Sequence, residues 1–331
     1  MKKLSFFISI VFILLVYPLR AIEIDKSVLN DINLPAIVGK DNRQKVTEKT
    51  SAQEQAVVLI TANGNTSKGT CSGAMVGPNI VLTAAHCIDK QMTIYAIGMP
   101  ISYDLNDPHN ASLMESISNS KTAITEWEEI ADISGMDFET YLNMLLIKNI
   151  IREKIKDKNV SETEISWLHD ETNKKVYFFT TAKDSWIADE YIENRHPSSI
   201  DDYALILLDY NLGNIIGWLK LKATPDEQLA GKNIVIIGRP GDKPAFTLWK
   251  SPGRIGKLNK NHIYYNADTV TGSSGSPIFD AENPNEIIGL HSFQKGPDRA
   301  KNGYPNGGLR ITQEIIDAVK NIGKYTDKTD R

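Results

Sequence analysis

The sequence predicts an all-β core that is interrupted in its first half by a helical insertion and closed by a C-terminal helix. Three observations predict it. Short apolar runs recur between clusters of Gly, Pro and Asn, the mark of antiparallel strands. Between about Asn110 and Lys158 the apolar period switches to that of a helix. Near the end, Thr312-Gln-Glu-Ile-Ile-Asp-Ala-Val-Lys-Asn-Ile322 is amphipathic at helical spacing.

Each element has its own signal. Residues 22 to about 36 are mixed and polar, as in a propeptide or an N-terminal arm, ahead of a domain over 37–325. Ala56-Val-Val-Leu-Ile-Thr61 is a β-rich run followed by the turn cluster Ala62-Asn-Gly-Asn-Thr-Ser67. Gly69-Thr-Cys-Ser-Gly-Ala-Met-Val76 and Ile80-Val-Leu-Thr83 flank the turn Gly77-Pro-Asn. The insertion, about 110–160, contains Ser134-Gly-Met-Asp137, which resembles a helix start with an acid three residues after a serine. Phe138, Tyr141, Leu142, Leu145, Ile150 and Ile151 then recur at largely helical spacing, a stripe expected to pack onto the body of the protein. Strand patterns return in Lys175-Val-Tyr-Phe-Phe-Thr180, Tyr203-Ala-Leu-Ile-Leu-Leu208, Asn233-Ile-Val-Ile-Ile-Gly238 and Ile287-Ile-Gly-Leu290, and a short tail, 326–331, follows the last helix.

The 331 residues are 41% hydrophobic and 24% charged, ordinary globular values that give room for one large domain or two. A net charge of -4 leaves no polybasic signature, so nucleic acid is not an expected partner. At the N-terminus, Lys2 and Lys3 precede an apolar run from Leu4 to Tyr17, and a small residue, Ala21, follows. That pattern describes a signal peptide over 1–21, and the run is short for a membrane span. The mature chain is therefore expected to be secreted or periplasmic, free of the membrane, and monomeric. Export places Cys71 and Cys87 in an oxidising compartment, where a disulfide is the default and two buried thiols the alternative. Neither a Cys/His cluster of zinc-ligand spacing nor an EF-hand-like loop is present, so no metal or other cofactor is expected.

Three stretches carry the chemistry. Leu82-Thr-Ala-Ala-His-Cys87 puts a histidine after a small-residue turn. Asp201-Asp-Tyr-Ala-Leu-Ile-Leu-Leu208 leads an acid into an apolar strand. Gly272-Ser-Ser-Gly-Ser-Pro277 holds three serines between glycines and a proline. A serine hydroxyl becomes a nucleophile only when a base takes its proton, and the base needs an acid to fix its tautomer. A glycine- and serine-rich turn alone is a bland feature; the histidine, acid and serine in that chain order are what raise it to a candidate active site.

TAAHC, DYALILL and GSSGSP resemble the three signatures of chymotrypsin-like serine proteases, and more closely those of the bacterial glutamyl endopeptidases. Ala36-Ile-Val-Gly-Lys-Asp-Asn-Arg43 is similar to the opening of the mature enzymes of that branch. Ile216-Gly-Trp218, Gly238-Arg-Pro-Gly-Asp-Lys243, Leu248-Trp249, Tyr265-Asn-Ala-Asp-Thr269 and Gly308-Leu-Arg-Ile-Thr312 resemble its other markers. The resemblance implies two six-stranded antiparallel β-barrels and a serine endopeptidase acting on protein or peptide substrates. It implies His86 as general base and then acid, Asp202 rather than Asp201 as its orienting acid, and Ser274 as nucleophile, with Ser273 and Ser276 as turn residues. The amides of Gly272 and Ser274 would form the oxyanion hole, and Cys71 and Cys87 match the disulfide that ties down the histidine loop.

The chain departs from the pattern twice. His86 and Asp202 are 116 positions apart, wider than usual, which the helical insertion accounts for. Ser273 stands where pancreatic-type enzymes carry an aspartate that receives the new N-terminus, so activation by that ion pair is not available. Two features point to different substrates. Asp268, six residues before Ser274, lies where trypsin-type enzymes place the acid that binds Arg or Lys. Thr269 and His291 match the pair with which glutamyl endopeptidases hold a glutamate carboxylate, and both side chains can donate to one. The glutamate preference is the favoured expectation; a trypsin-like preference and a catalytically inactive, protease-like binding protein are the alternatives. His109, His169, His196 and His262 are scattered and read as surface residues.

Overall fold

A computed structural model describes residues 37–326 apart from 48–50, 63–70, 89–92, 103–105, 135–136, 157, 159–165, 171–174, 189–190, 192–200, 245 and 295–302. The signal-peptide and propeptide expectations, His196 and the end of the tail lie outside these residues. The chain divides into a helical unit, described from residue 106 to 153, and a β unit made of the remainder.

Among the described residues the β unit contains fifteen strands: β1 (Gln44–Lys45), β2 (Val57–Ala62), β3 (Cys71–Met75), β4 (Ile80–Thr83), β5 (Ile94–Ser102), β6 (Ser166–Asp170), β7 (Lys175–Ile187), β8 (Ala204–Leu208), β9 (Lys220–Leu221), β10 (Asn233–Gly238), β11 (Trp249–Leu258), β12 (His262–Tyr265), β13 (Pro277–Asp280), β14 (Glu286–Gln294) and β15 (Asn306–Arg310). In the first sheet the order β5-β2-β3-β4-β8-β7 is closed by pairing of β7 with β5, giving a six-stranded antiparallel barrel with β6 added on β7. In the second, β11-β10-β13-β14-β15-β12 is closed by β11 with β12, again six strands, with β1 and β9 added outside. Closure removes the exposed edges that an open sheet of this size would leave. The two barrels expected from the resemblance are the observed fold.

The apolar runs read from the sequence explain why these segments are strands. Ile234 and Ile236 on β10 point inward with Ile255, Ile263, Tyr265, Ile278 and Ile288 and fill the second barrel. Fully burying one such side chain contributes about 1.5–3 kcal/mol. In the first barrel Val57, Val58, Leu59 and Ile60 of β2 are all buried, because one face meets the barrel interior and the other is covered. The C-terminal helix α4 (Gln313–Thr326) packs on β7 and β8, burying Ile315, Ala318 and Ile322 at helical spacing.

The helical unit comprises α1 (Pro108–Ser118), α2 (Lys121–Ser134) and α3 (Phe138–Ile155). Asp107 caps α1, accepting from the amides of His109 and Asn110, with Pro108 in the first turn. The start expected at Ser134 is corrected: Ser134 ends α2, and Asp137 caps α3 through the amide and hydroxyl of Thr140, each at 2.8 Å. The expected stripe is corrected too. Tyr141 and Ile151 are buried as expected, together with Met144, Leu146, Ile147 and Ile155, whereas Phe138, Leu142, Leu145 and Ile150 are half-buried. Tyr141, Met144, Ile147, Ile151 and Ile155 follow one another at spacings of three and four, with Leu146 beside them, and Phe138 meets Trp127 edge-on at 5.0 Å. The Tyr141 hydroxyl donates to Glu126 at 3.0 Å, joining α3 to α2.

His262 is a further correction. It is buried on β12, where the Phe293 ring of β14, two strands away, meets it edge-on at 5.5 Å. His109 is exposed as expected, and His169 is a backbone partner of Val176 in β6.

Candidate active site

Strand register brings the histidine and acid stretches together. Thr83 on β4 pairs with Ala204 on β8. The chain beyond Thr83 makes a one-turn 3-10 helix, Ala85–Cys87, and the chain before Ala204 carries Asp202 to the same end of the pair. Asp202 is fully buried and accepts the backbone amide of His86 at 3.0 Å and its Nδ1 at 2.8 Å. Between the two adjacent acids, the carboxylate on the imidazole is that of Asp202. A disulfide joins Cys71 on β3 to Cys87, next to His86, and anchors the turn to the barrel wall. Cys71, His86 and Cys87 cluster within metal-ligand distances, but both sulfurs are spent in the disulfide and the set offers no thiolate.

The serine stretch forms a tight turn ahead of β13. Ser273 N donates to the Val270 carbonyl and Ser276 N to the Ser273 carbonyl, both at 3.0 Å. Gly272 and Gly275 adopt φ of +94° and +80°, in the region where a side chain strains the backbone. Space forbids a side chain as well: a Cβ on Gly275 would lie 2.1 Å from the Ser72 carbonyl, and one on Gly272 would lie 2.6 Å from the Gly241 amide. Ser72 of the first barrel stitches the turn down. Its amide donates to the Ser274 carbonyl at 2.8 Å and its hydroxyl to the Gly272 carbonyl at 3.0 Å.

The three serines of this turn differ in access. Ser276 is fully buried, Ser273 is buried with its hydroxyl accepting from Val270 N, and Ser274 is half-buried. Ser274 is thus the one whose side chain reaches solvent. Among the described residues the amides of Gly272 and Ser274 donate to no acceptor, while the Ser273 amide between them is engaged. Two unspent N–H groups flanking a reachable hydroxyl are what a developing oxyanion requires.

The neighbouring wall holds the remaining expected residues. Asp268, Thr269 and His291 are all buried. The Asp268 carboxylate accepts the amides of Val38 at 2.7 Å and Asn42 at 3.0 Å, so it anchors the N-terminal arm. Arg43 in that arm pairs with Asp41 and Asp242, and its hydrogen bonds hold the Asp41 carboxyl below the usual carboxylate range. Thr269 Oγ1 is buried without a hydrogen-bond partner. His291 Nδ1 lies 2.6 Å from the Tyr265 hydroxyl. Burial, then the charge of His86, pushes the His291 pKa down to about 3, and burial pushes the Tyr265 hydroxyl well above 10.

Three contributors escaped the sequence analysis. Ser292 donates its hydroxyl to Asp202 Oδ2 from β14. Ser72 carries no motif of its own, and Tyr265 was noted only as the opening of the marker Tyr265-Asn-Ala-Asp-Thr269. The signal that could have found them is a polar atom within an apolar segment, which demands a partner.

Comparison with known proteins follows the same line. The family model for the trypsin-like peptidase domain matches residues 157–290, and that for trypsin matches residues 43–132. The glutamyl endopeptidase of Bacillus licheniformis is 25% identical over 291 residues, spanning 87% of this chain and 69% of that one. The glutamyl endopeptidase of Staphylococcus aureus is 43% identical over 65 residues, which is 20% of this chain and 19% of that one. A solved structure described as Glu endopeptidase in complex with MPD superposes with a TM-score of 0.53 at 20% identity, over 86% of this chain and 98% of that chain.

Proposed function

We propose, for a chain that is a chymotrypsin-like serine endopeptidase of the glutamyl endopeptidase type, that it is exported and hydrolyses peptide bonds through Ser274, His86 and Asp202, preferring glutamate on the acyl side of the cut. The carrying observation is the 2.8 Å contact of His86 Nδ1 with buried Asp202, beside a turn whose one reachable serine is Ser274.

In this reading Asp202 keeps the Nδ1 proton in place, so Nε2 of His86 is free to take the Ser274 proton. Ser274 Oγ attacks the substrate carbonyl, and the carbonyl oxygen, now negative, is met by the amides of Gly272 and Ser274. One such donor typically contributes about a hundred- to a thousand-fold in rate. His86 then gives its proton to the leaving amine, and a water repeats the sequence on the acyl-enzyme. Ser292 steadies Asp202 from the far side. All these groups come from one chain, so a monomer is a sufficient working unit.

The glutamate preference is supported by the unpartnered hydroxyl of Thr269 and by His291, which burial keeps neutral and therefore a donor without a charge of its own to desolvate. The trypsin-like alternative loses support because both oxygens of Asp268 are already taken by the arm. Export is supported by the signal-like N-terminus and the disulfide. Among the described residues no helix is long and apolar enough to cross a membrane. A fluorophosphonate probe tests the reading: it should label wild type and leave Ser274→Ala unlabelled. A folded wild type that resists the probe would sink it and favour the inactive binding protein.

A further inference from the structure

We propose that Tyr265 is a positioning residue for substrate choice: its hydroxyl donates to Nδ1 of His291 and so places the single proton of the imidazole on Nε2, where it serves as a donor to the substrate carboxylate. This deepens, and rests on, the glutamate reading above.

Tyr265 ends β12 and is fully buried. Its hydroxyl lies 2.6 Å from His291 Nδ1, and among the described residues it has no second hydrogen-bond partner. β15 separates the two parent strands; Tyr265 stands opposite Asn306 and His291 opposite Gly308, so the contact runs diagonally past the side-chain-free positions Gly307 and Gly308. A neutral imidazole carries one N–H and can place it on either nitrogen. With the proton on Nδ1, the phenol hydrogen would be buried and without an acceptor. Such an unmade hydrogen bond skews the balance about tenfold or more toward the other tautomer. The contact therefore selects Nε2–H.

Both partners are held in the protonation states this requires. Burial and the nearby charge of His86 keep His291 neutral against an opposing hydrogen bond to the Gly307 backbone, and burial keeps the proton on Tyr265. Thr269, four residues beyond Tyr265 in the same segment, is buried with its hydroxyl unpartnered and provides a second donor. Without Tyr265 the imidazole populates both tautomers, and the one protonated on Nδ1 turns a lone pair toward the incoming carboxylate.

Wild type, Tyr265→Phe and His291→Ala are to be compared on peptides that differ only in Glu, Gln or Leu before the cut. Rates are normalised to active sites with the covalent probe. The phenylalanine keeps the ring that fills the barrel and removes only the hydroxyl. Tyr265→Phe should lower the Glu-over-Leu ratio of kcat/KM about tenfold, mostly through KM, because the carboxylate is bound alike in ground and transition states. Nitrogen-15 NMR of the imidazoles should show His291 protonated on Nε2 in wild type and a tautomer mixture in Tyr265→Phe. A wild-type ring protonated on Nδ1 overturns the proposal, as does an unchanged ratio in Tyr265→Phe when His291→Ala has lost it. If His291→Ala keeps the glutamate preference, the glutamate reading itself has failed and the inference falls with it; that variant separates the two failures.

Discussion

Acid should destabilise this protein through His291, and the size of the effect follows from the structure. The imidazole is buried and neutral, with its pKa pushed from 6.5 to about 3. The unfolded chain takes up a proton near pH 6.5, whereas the folded chain resists until about pH 3. Between those values the unfolded state binds more protons, so stability falls as pH falls. At about 1.4 kcal/mol for each pH unit, about 3 kcal/mol is lost by pH 4 and about 5 kcal/mol once the folded pKa is passed. That is a large fraction of the 5–15 kcal/mol by which domains are typically stable, roughly speaking. The assay is urea denaturation at pH 7, 6, 5 and 4, made on Ser274→Ala to prevent self-cleavage and on Ser274→Ala combined with His291→Gln. Glutamine retains an acceptor for Tyr265 and does not titrate. The stability of the His291 protein should drop with pH more steeply, the two curves converging by about 3 kcal/mol between pH 7 and 4. Parallel curves would refute the reasoning, because they would mean that the folded state accepts the proton as readily as the unfolded chain.

Ser274→Ala should abolish peptide hydrolysis while leaving the melting transition in place, and Ser276→Ala should not mimic it, since that hydroxyl is fully buried; loss of turnover in Ser276→Ala alone would move the nucleophile. Thiol titration of the unfolded, unreduced protein should find no free cysteine, and replacing Cys71 and Cys87 by alanine should cost about 3 kcal/mol in denaturation, the loop-closure value for a bridge of this span. In Asp268→Ala the amides of Val38 and Asn42 should exchange with solvent at least tenfold faster, because each loses a hydrogen bond to a charged group that contributes about 1.5–3 kcal/mol. Cleavage after Arg or Lys that disappears in Asp268→Ala would overturn the glutamate preference.

The helical segment shows where periodicity is legible and where it misleads. Its apolar spacing located the insertion and picked out Tyr141 and Ile151 of the buried face, yet Phe138, Leu142, Leu145 and Ile150 are only half-buried and Met144 and Ile147 were missed. Adjacent apolar residues fit more than one helical phase, and packing selects between them. The cap was displaced in the same way: Ser134 and Asp137 are both good N-cap residues, and only the chain's path makes Asp137 the one that meets Thr140.

By itself the sequence determined the local features: strands where β-branched runs alternate with turn residues, glycines where the serine turn leaves no room for a Cβ, and the chain order His86, Asp202, Ser274. These depend on interactions between near neighbours, which a linear pattern records. The tertiary structure decided everything that spans the chain. Asp202 rather than Asp201 meets His86, 116 residues away, because Thr83 pairs with Ala204 and not with the next residue. Asp268 is turned to the arm, 230 residues away, rather than to a substrate. Ser292 reaches Asp202 from the other barrel, and Tyr265 reaches His291 across the intervening strand β15. A shift of one residue in register turns every side chain to the opposite face, so no local propensity encodes such contacts; they exist once the whole hydrophobic interior has fixed the pairing.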